Sequence, residues 1–345
     1  MRQGFLNTTL YIIYTFINFI LFYFCLIVLI NIFSVVNISN KKPILITGSH
    51  RSGSTWTGRM IAHSPAVALI EEPFNLNNHN IWLSKLEYWF QYVYNENEEK
   101  FLDEFGDCLQ FRFPLLRSVR ANPSLKNFIK ISYNYFYTAK YKLLMKRPLV
   151  KDPLAIFSTA WLEKQFNMSV IVLIRHPAAF AGSLKIANWV HPFNHFLRQP
   201  QLIEHHLLKY KQEIEKFSGT TQNIIDQAIL LWNLIHHMII NYKYTKPNWI
   251  FIKHETLSRN PILEFGRLYK KLDLQYSKRI QQKIKQFSFV RPHKNNNNNI
   301  IRNSQSNIFS WKDRLTTDEV IRIKEGTHEI ASQFYSEQDW HELFK

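Results

Sequence analysis

The apolar positions of this chain fall into three kinds of run. From Leu10 to Val36 they are almost continuous (LYIIYTFINFILFYFCLIVLINIFSVV), and no charged residue lies between Arg2 and Lys41. A run of this length exceeds the roughly 20 residues that span a bilayer core, so residues 1–40 are expected to form an N-terminal transmembrane anchor. A cleaved signal peptide is the competing reading, but its apolar region usually has about 7–15 residues and ends at small ones. Asn37-Ile38-Ser39-Asn40 does not have that form. Runs of the second kind are short: Pro43–Thr47, Val170–Ile174 and Trp249–Ile252, each followed by polar or charged residues. They read as buried strands. In the third kind, as in IIDQAILLWNLIHHMIINY from Ile224 to Tyr242, apolar residues recur three and four apart, the spacing of a helix. Apolar strands alternating with helices predict an α/β fold, a P-loop-like parallel sheet with helices on both faces.

The segment from about Trp82 to Tyr141 mixes aromatic and charged residues without a clear strand and is expected to form helices over one side of the sheet. Asn295–Asn299 is a tract of five asparagines, which cannot bury a core and reads as a loop. The expected organisation is the anchor, 1–40, followed by one domain, 41–345.

Composition adds constraints. The net charge is +17, from 43 Lys and Arg against 26 Asp and Glu, which favours polyanionic ligands or surfaces. Nucleic acid is not the expected partner, because the basic residues are dispersed and no helix-turn-helix, zinc-finger or RNP pattern accompanies them. The chain has two cysteines, Cys25 within the apolar run and Cys108 beyond it, so residues 41–345 cannot form an internal disulfide. His236-His237 has no Cys, Asp or Glu at ligand spacing, and no metal is expected.

The candidate chemistry begins at GSHRSGSTW, Gly48 to Trp56, between the first strand and a helix that includes Arg59–Ala62. A Gly-rich turn from a strand into a helix directs backbone N–H groups and the positive end of the helix dipole at one point, which makes a phosphate site. Gly48 and Gly53 have the spacing of a nucleotide-kinase P-loop, yet the next residue is Ser54 and not the lysine that reaches the β and γ phosphates. Arg51 is the charged donor of this turn. A second candidate, RHPAAFAGS, follows the second strand and offers Arg175 and Ser183 to another phosphate.

Together GSHRSGSTW and IRHPAAFAGS resemble the two cofactor motifs of the sulfotransferase family, which uses 3′-phosphoadenosine 5′-phosphosulfate. The resemblance runs unevenly from Pro43 to about Trp340. It implies that Arg51, Ser52, Gly53, Ser54, Thr55 and Trp56 hold the 5′-phosphosulfate and that Arg175 and Ser183 hold the 3′-phosphate. Lys151-Asp152-Pro153, Trp189 and SWKDRL (Ser310–Leu315) also fit. The family often closes over the donor with a late Gly-rich loop ending in Trp-Lys, whereas here NSQSNIFSWK has no glycine. Lys312 and Arg302 are the candidates for a 3′-phosphate contact there.

Sulfuryl transfer needs a base near the sulfate to take the acceptor's proton. ALIEEPFN offers Glu71 and Glu72 ahead of a proline that sets an extended backbone. In carbohydrate sulfotransferases of the family a Glu-Pro after the first motif supplies the base, which falls on Glu72, with Arg51 assisting; Glu71 and His50 are the alternatives. Asp152 reads equally as an acceptor contact or a turn former. The acceptor implied is a hydroxyl of a glycan or glycolipid. Rival readings are a P-loop nucleotide-dependent kinase and a non-catalytic basic protein bound to anionic membrane or glycan. The charges flanking the anchor do not set its orientation; the expectation leans to a cytoplasmic domain, because the donor is made there and Cys108 has no partner.

Overall fold

The computed structural model describes residues 41–78, 82–121, 124–220, 222–289 and 308–341. The expected membrane segment, Arg302 and the asparagine tract lie outside the described residues. Among the described residues no helix is long and apolar enough to cross a membrane.

Five strands are described: β1 (Ile44–Gly48), β2 (Val67–Glu71), β3 (Arg147–Lys151), β4 (Ser169–Ile174) and β5 (Ile250–Lys253). All pair in parallel, in the order β2-β3-β1-β4-β5. The helices that matter here are α1 (Ser54–Ile61), α2 (Leu125–Leu143), α3 (Thr159–Phe166), α4 (Pro177–Ala187), α5 (Ile224–Thr245), α6 (His254–Arg259), α7 (Pro261–Lys271), α8 (Lys278–Phe289) and α9 (Thr317–Ala331).

Alternation along the strands sorts side chains onto two faces. Ile44, Ile46, Leu149, Ile171 and Leu173 join Met60 and Ile61 of α1 and Phe265, Leu268 and Tyr269 of α7 in one core. Leu45, Val150, Val170, Val172 and Ile174 face the other way, into a larger core with α4 and α5. The helices that follow β1 and β4 therefore cover opposite faces. A crevice opens between them at the carboxyl ends of those neighbouring strands, where ligands of open α/β sheets bind.

The three strands and the long helix expected from the sequence are present within a few residues of the anticipated bounds. Two strands differ from that reading. β3, RPLVK, has only Leu149 and Val150 as aliphatic residues, and its flanking cations are buried with partners. Arg147 Nε donates to the Lys42 carbonyl and Nη1 to the Leu272 carbonyl, which offsets the cost of burying the charge. β2 is formed by the apolar residues and Glu71 just ahead of Glu72-Pro73 and forms the edge beside β3. Between Trp82 and Asn97 the chain is mostly irregular rather than helical, yet Leu83, Leu86, Phe90 and Val93 are buried in the larger core.

Candidate active site

The first loop leaves β1 at Gly48, whose φ is 125°, and a Cβ there would lie 2.1 Å from the Leu173 carbonyl oxygen of β4. Only glycine lets the two strand ends approach so closely. Gly53 caps α1 in the left-handed conformation, with φ 84°, and no side chain caps the helix. A Cβ at Gly53 would lie 2.5 Å from His254 Nδ1, so the glycine also leaves room between loop and α6. The first-turn N–H groups of α1 thus face outward for an anion. Ser52 is fully buried and its hydroxyl donates to the Ser49 carbonyl, shaping the loop.

Because Gly48 pairs in register with Leu173, the turn that follows β4 lies beside the first loop. Arg175 Nη1 donates to the Arg51 carbonyl, and Arg51 Nε donates to Ser183 Oγ of α4 at 2.8 Å. The Arg51 guanidinium lies 5.2 Å from the centre of the Trp189 ring. The two motifs form one structure. They line a cleft of about 540 Å³ whose wall includes Arg51, Gly53, Ser54, Thr55, Trp56, Arg175 and Ser183, with Glu72 at one side. Of the residues Arg51–Trp56, Ser52 is the one that does not line it, since its hydroxyl is turned inward.

Arg175 stays charged and the two histidines of this cleft stay neutral around neutral pH. Burial lowers the Arg175 pKa to about 10, still leaving the guanidinium protonated at neutrality, with Glu255 acting in the opposite direction. His50 and His254 are each held near pKa 3, by burial first and by a neighbouring arginine second, so both are neutral. His50 packs edge-on to Phe180 and near Phe90 and Trp189. This apolar setting makes it a poor proton acceptor.

Glu72 departs from the extended backbone expected before proline: its φ is 49°, and its N–H and C=O are both used, by Lys151 O at 2.9 Å and Asn75 N at 3.1 Å. The turn is stabilised through the side chain as well. Lys151 Nζ, 3 % exposed, lies 2.5 Å from Glu72 Oε1, and Asn75 Nδ2 donates to Oε2 at 2.6 Å. Glu71, at the end of β2, is more exposed and pairs with Arg59 at 3.5 Å. Asp152 is buried and accepts from Phe74 N and Leu154 N, at 2.6 and 3.0 Å. Its pKa is raised to about 7, by burial above all and by Glu72. With both oxygens engaged, Asp152 is a turn former.

Among the described residues of the late segment it is Arg314 that lines the cleft, while the Lys312 ammonium lies over the Phe309 ring. Trp311 is buried and stacks on His176 at 5.7 Å. The segment leans on α4 at Gly182, where a Cβ would lie 3.2 Å from Trp311 Cβ and 3.6 Å from Arg314 Cβ. Gly182→Ala is therefore expected to cost about 1 kcal/mol of stability and to weaken anion binding by moving Arg314. Denaturant unfolding and calorimetric titration with a bisphosphate check both; unchanged affinity would show that Arg314 does not contribute.

Lys151, Arg59 and Arg314 were not assigned to the site from the sequence. An isolated basic residue has no signature in a chain this rich in lysine and arginine. The KDP triplet, closing a strand beside β1, was the one available signal for Lys151.

A sequence model of the sulfotransferase family matches residues 43–278. No curated protein matches the chain. Among solved structures it is similar to a sulfotransferase domain from the curacin biosynthetic pathway, at 18% identity over 85% of this chain and 97% of that one, with a TM-score of 0.47. It is also similar to the sulfotransferase domain of the Synechococcus PCC 7002 olefin synthase, at 16% identity over 87% and 98% of the chains and a TM-score of 0.45. A mouse sulfotransferase complexed with PAP gives 13% identity, 88% coverage of both chains and a TM-score of 0.43.

Proposed function

The chain belongs to the sulfotransferase family, and from that premise we propose that it transfers the sulfuryl group of 3′-phosphoadenosine 5′-phosphosulfate to a hydroxyl acceptor, with Glu72 as the base. The observation that carries this reading is the meeting of two anion-binding motifs on adjacent strand ends, with Glu72 on the same cleft. The residues present suit such a donor. An uncapped helix N-terminus and Arg51 are matched to a 5′-phosphosulfate, and Arg175 and Ser183 to a 3′-phosphate.

Glu72 takes the acceptor proton as the new oxygen–sulfur bond forms and the bond from sulfur to the 5′-phosphate oxygen breaks. Arg51 and the N–H groups of α1 receive the charge that develops on the departing phosphate. Lys151, buried against Glu72, holds the carboxylate in position. Beyond Glu72 the cleft adjoins a groove of about 910 Å³ along β2, walled in part by Trp82, Phe113, Tyr137 and Tyr141. Aromatic walls interspersed with Arg59, Lys130 and Lys151 suit a sugar or an amphipathic glycolipid, including one that carries negative charge. The anchor over residues 1–40 belongs to the same proposal, as does a domain on the cytoplasmic side.

A nucleotide kinase is the reading to exclude. Ser54 occupies the lysine position, and Asp152, the carboxylate at a strand end beside β1, already accepts two backbone N–H bonds. Thermal-shift titration distinguishes the two: 3′-phosphoadenosine 5′-phosphate is expected to raise the melting temperature, by about 2.7 kcal/mol of stabilisation at 100 times its Kd, and ATP with magnesium is not. The reverse pattern would overturn the proposal.

A further inference from the structure

Helix α2 carries a second apolar face, opposite the one that packs on the protein. Ile131 and Ala139 point inward and are buried. Two residues earlier or later on the helix, about 200° around it, Ile129, Tyr133 and Tyr137 form a stripe at intervals of four. Ile129 and Tyr133 are each 65 % exposed, and Tyr133 stacks on Tyr137 at 5.6 Å. Exposed apolar residues continue at the helix end with Leu143 and just past it with Leu144 and Met145. An ordinary solvated face would not concentrate large apolar side chains in this way.

Along the chain the charge through α2 has one sign, and Asp107 is the acidic residue that acts on Lys142 near the helix end. Between Asp107 and Asp152 the chain contains no acidic residue, while Lys130, Lys140, Lys142 and Lys146 accompany the apolar positions of α2 and its end. Tyrosines and aliphatics on a helix face with lysines beside them form the pattern of an interfacial helix on anionic lipid.

Position in the fold agrees. Met145 is two residues ahead of Arg147, whose Nε donates to the Lys42 carbonyl. Lys42 lies six residues after Val36, where the apolar run of the sequence ends. The exposed end of α2 is thus next to the point at which the expected membrane segment enters the domain.

We propose that the face of α2 carrying Ile129 and Tyr133, with Leu143, Leu144 and Met145, lies on an anionic lipid surface and orients the domain on its membrane, leaving Tyr137 at its edge to wall the groove along β2. Its placement rests on the membrane-segment reading; its chemistry rests on the exposure and charge of α2.

The test uses the full chain in nanodiscs, with Cys25→Ser and Cys108 left buried out of reach of label. A fluorophore is attached at Ile129→Cys or, as control, at Tyr244→Cys, which is 74 % exposed on α5. In discs with about 30 mol % phosphatidylserine, lipid-borne quenchers are expected to quench the probe at 129 several-fold more than that at 244. Phosphatidylcholine discs or added salt should relieve the effect. Equal quenching at both positions overturns the proposal. So does shielding of position 129 from aqueous quenchers without lipid quenching, which would mean that a second copy or a protein partner covers the face. Alkaline carbonate extraction reads the anchor separately: release of the chain from membranes with quenching retained on anionic vesicles removes the anchor and keeps the docking face, while retention without quenching does the opposite.

Discussion

Replacing Glu72 by glutamine is expected to lower turnover by about 10²- to 10⁴-fold, the range contributed by a positioned base, with affinity for 3′-phosphoadenosine 5′-phosphate almost unchanged. Glutamine has the shape of glutamate and its carbonyl oxygen can still accept from Lys151 or Asn75, so the local turn should persist. It cannot take a proton. The groups proposed to bind the donor, Arg51, Arg175, Ser183 and the N-terminus of α1, are left intact. Glu71→Gln provides the control, because Glu71 is half exposed and its ion pair to Arg59 spans 3.5 Å; a pair so open to solvent contributes about 1 kcal/mol or less. The measurements are initial rates at saturating donor, calorimetric affinity for the bisphosphate and the melting temperature of each variant. Near-normal turnover in Glu72→Gln would remove Glu72 as the base, and so would a loss of activity explained wholly by lost donor affinity.

The same residue shows how far the sequence could be read. The Glu-Pro pair made Glu72 a candidate through its residue type and its distance from the first loop, and the structure sets Glu72 on the wall of the cleft. Its conformation was not legible. A residue before proline is driven from the right-handed helical region, and the expectation of an extended backbone follows, but Glu72 is left-handed because Lys151 and Asn75 hold both its backbone and its carboxylate. Those partners lie on a neighbouring strand and in the following turn, and Lys151 is 79 residues away.

Strands behaved in the same way. β1 and β4 were visible because they are buried on both faces and read as continuous apolar runs. β3 was not, because its ends are Arg147 and Lys151, cations that are buried only by virtue of tertiary partners. Arg314 was invisible for a related reason: the Trp311–Leu315 segment reaches the cleft by packing against Gly182, a contact that neither stretch announces alone. What local sequence did carry was the pair of loops. Their glycines, arginines and hydroxyls act mainly through the backbone next to them, and the parallel register of β1 and β4 then sets them side by side.

That adjacency also shapes the expected consequence of Arg175→Ala, a loss of about 2–4 kcal/mol in bisphosphate binding, or roughly 30- to 1,000-fold. The Arg175 side chain is enclosed, and its charge is in a setting where solvent does little to screen a facing phosphate. Besides the charge, it donates Nη1 to the Arg51 carbonyl, so its removal also slackens the first loop. Two components are therefore expected. The slackened loop should weaken 3′-phosphoadenosine 5′-phosphate and adenosine 5′-phosphosulfate alike, whereas the lost 3′-phosphate contact should weaken only the former. Arg175→Lys separates them further: it keeps a positive charge but not the planar fork, and should recover part of the 3′-phosphate contribution. Calorimetric titration of both ligands against the wild type and the two variants gives the ratio of losses. A ratio near one in Arg175→Ala would place Arg175 outside the 3′-phosphate site and leave it as a support for the loop; a ratio of ten or more, with the 5′-phosphosulfate compound only slightly weakened, is the result expected of a guanidinium facing the second phosphate.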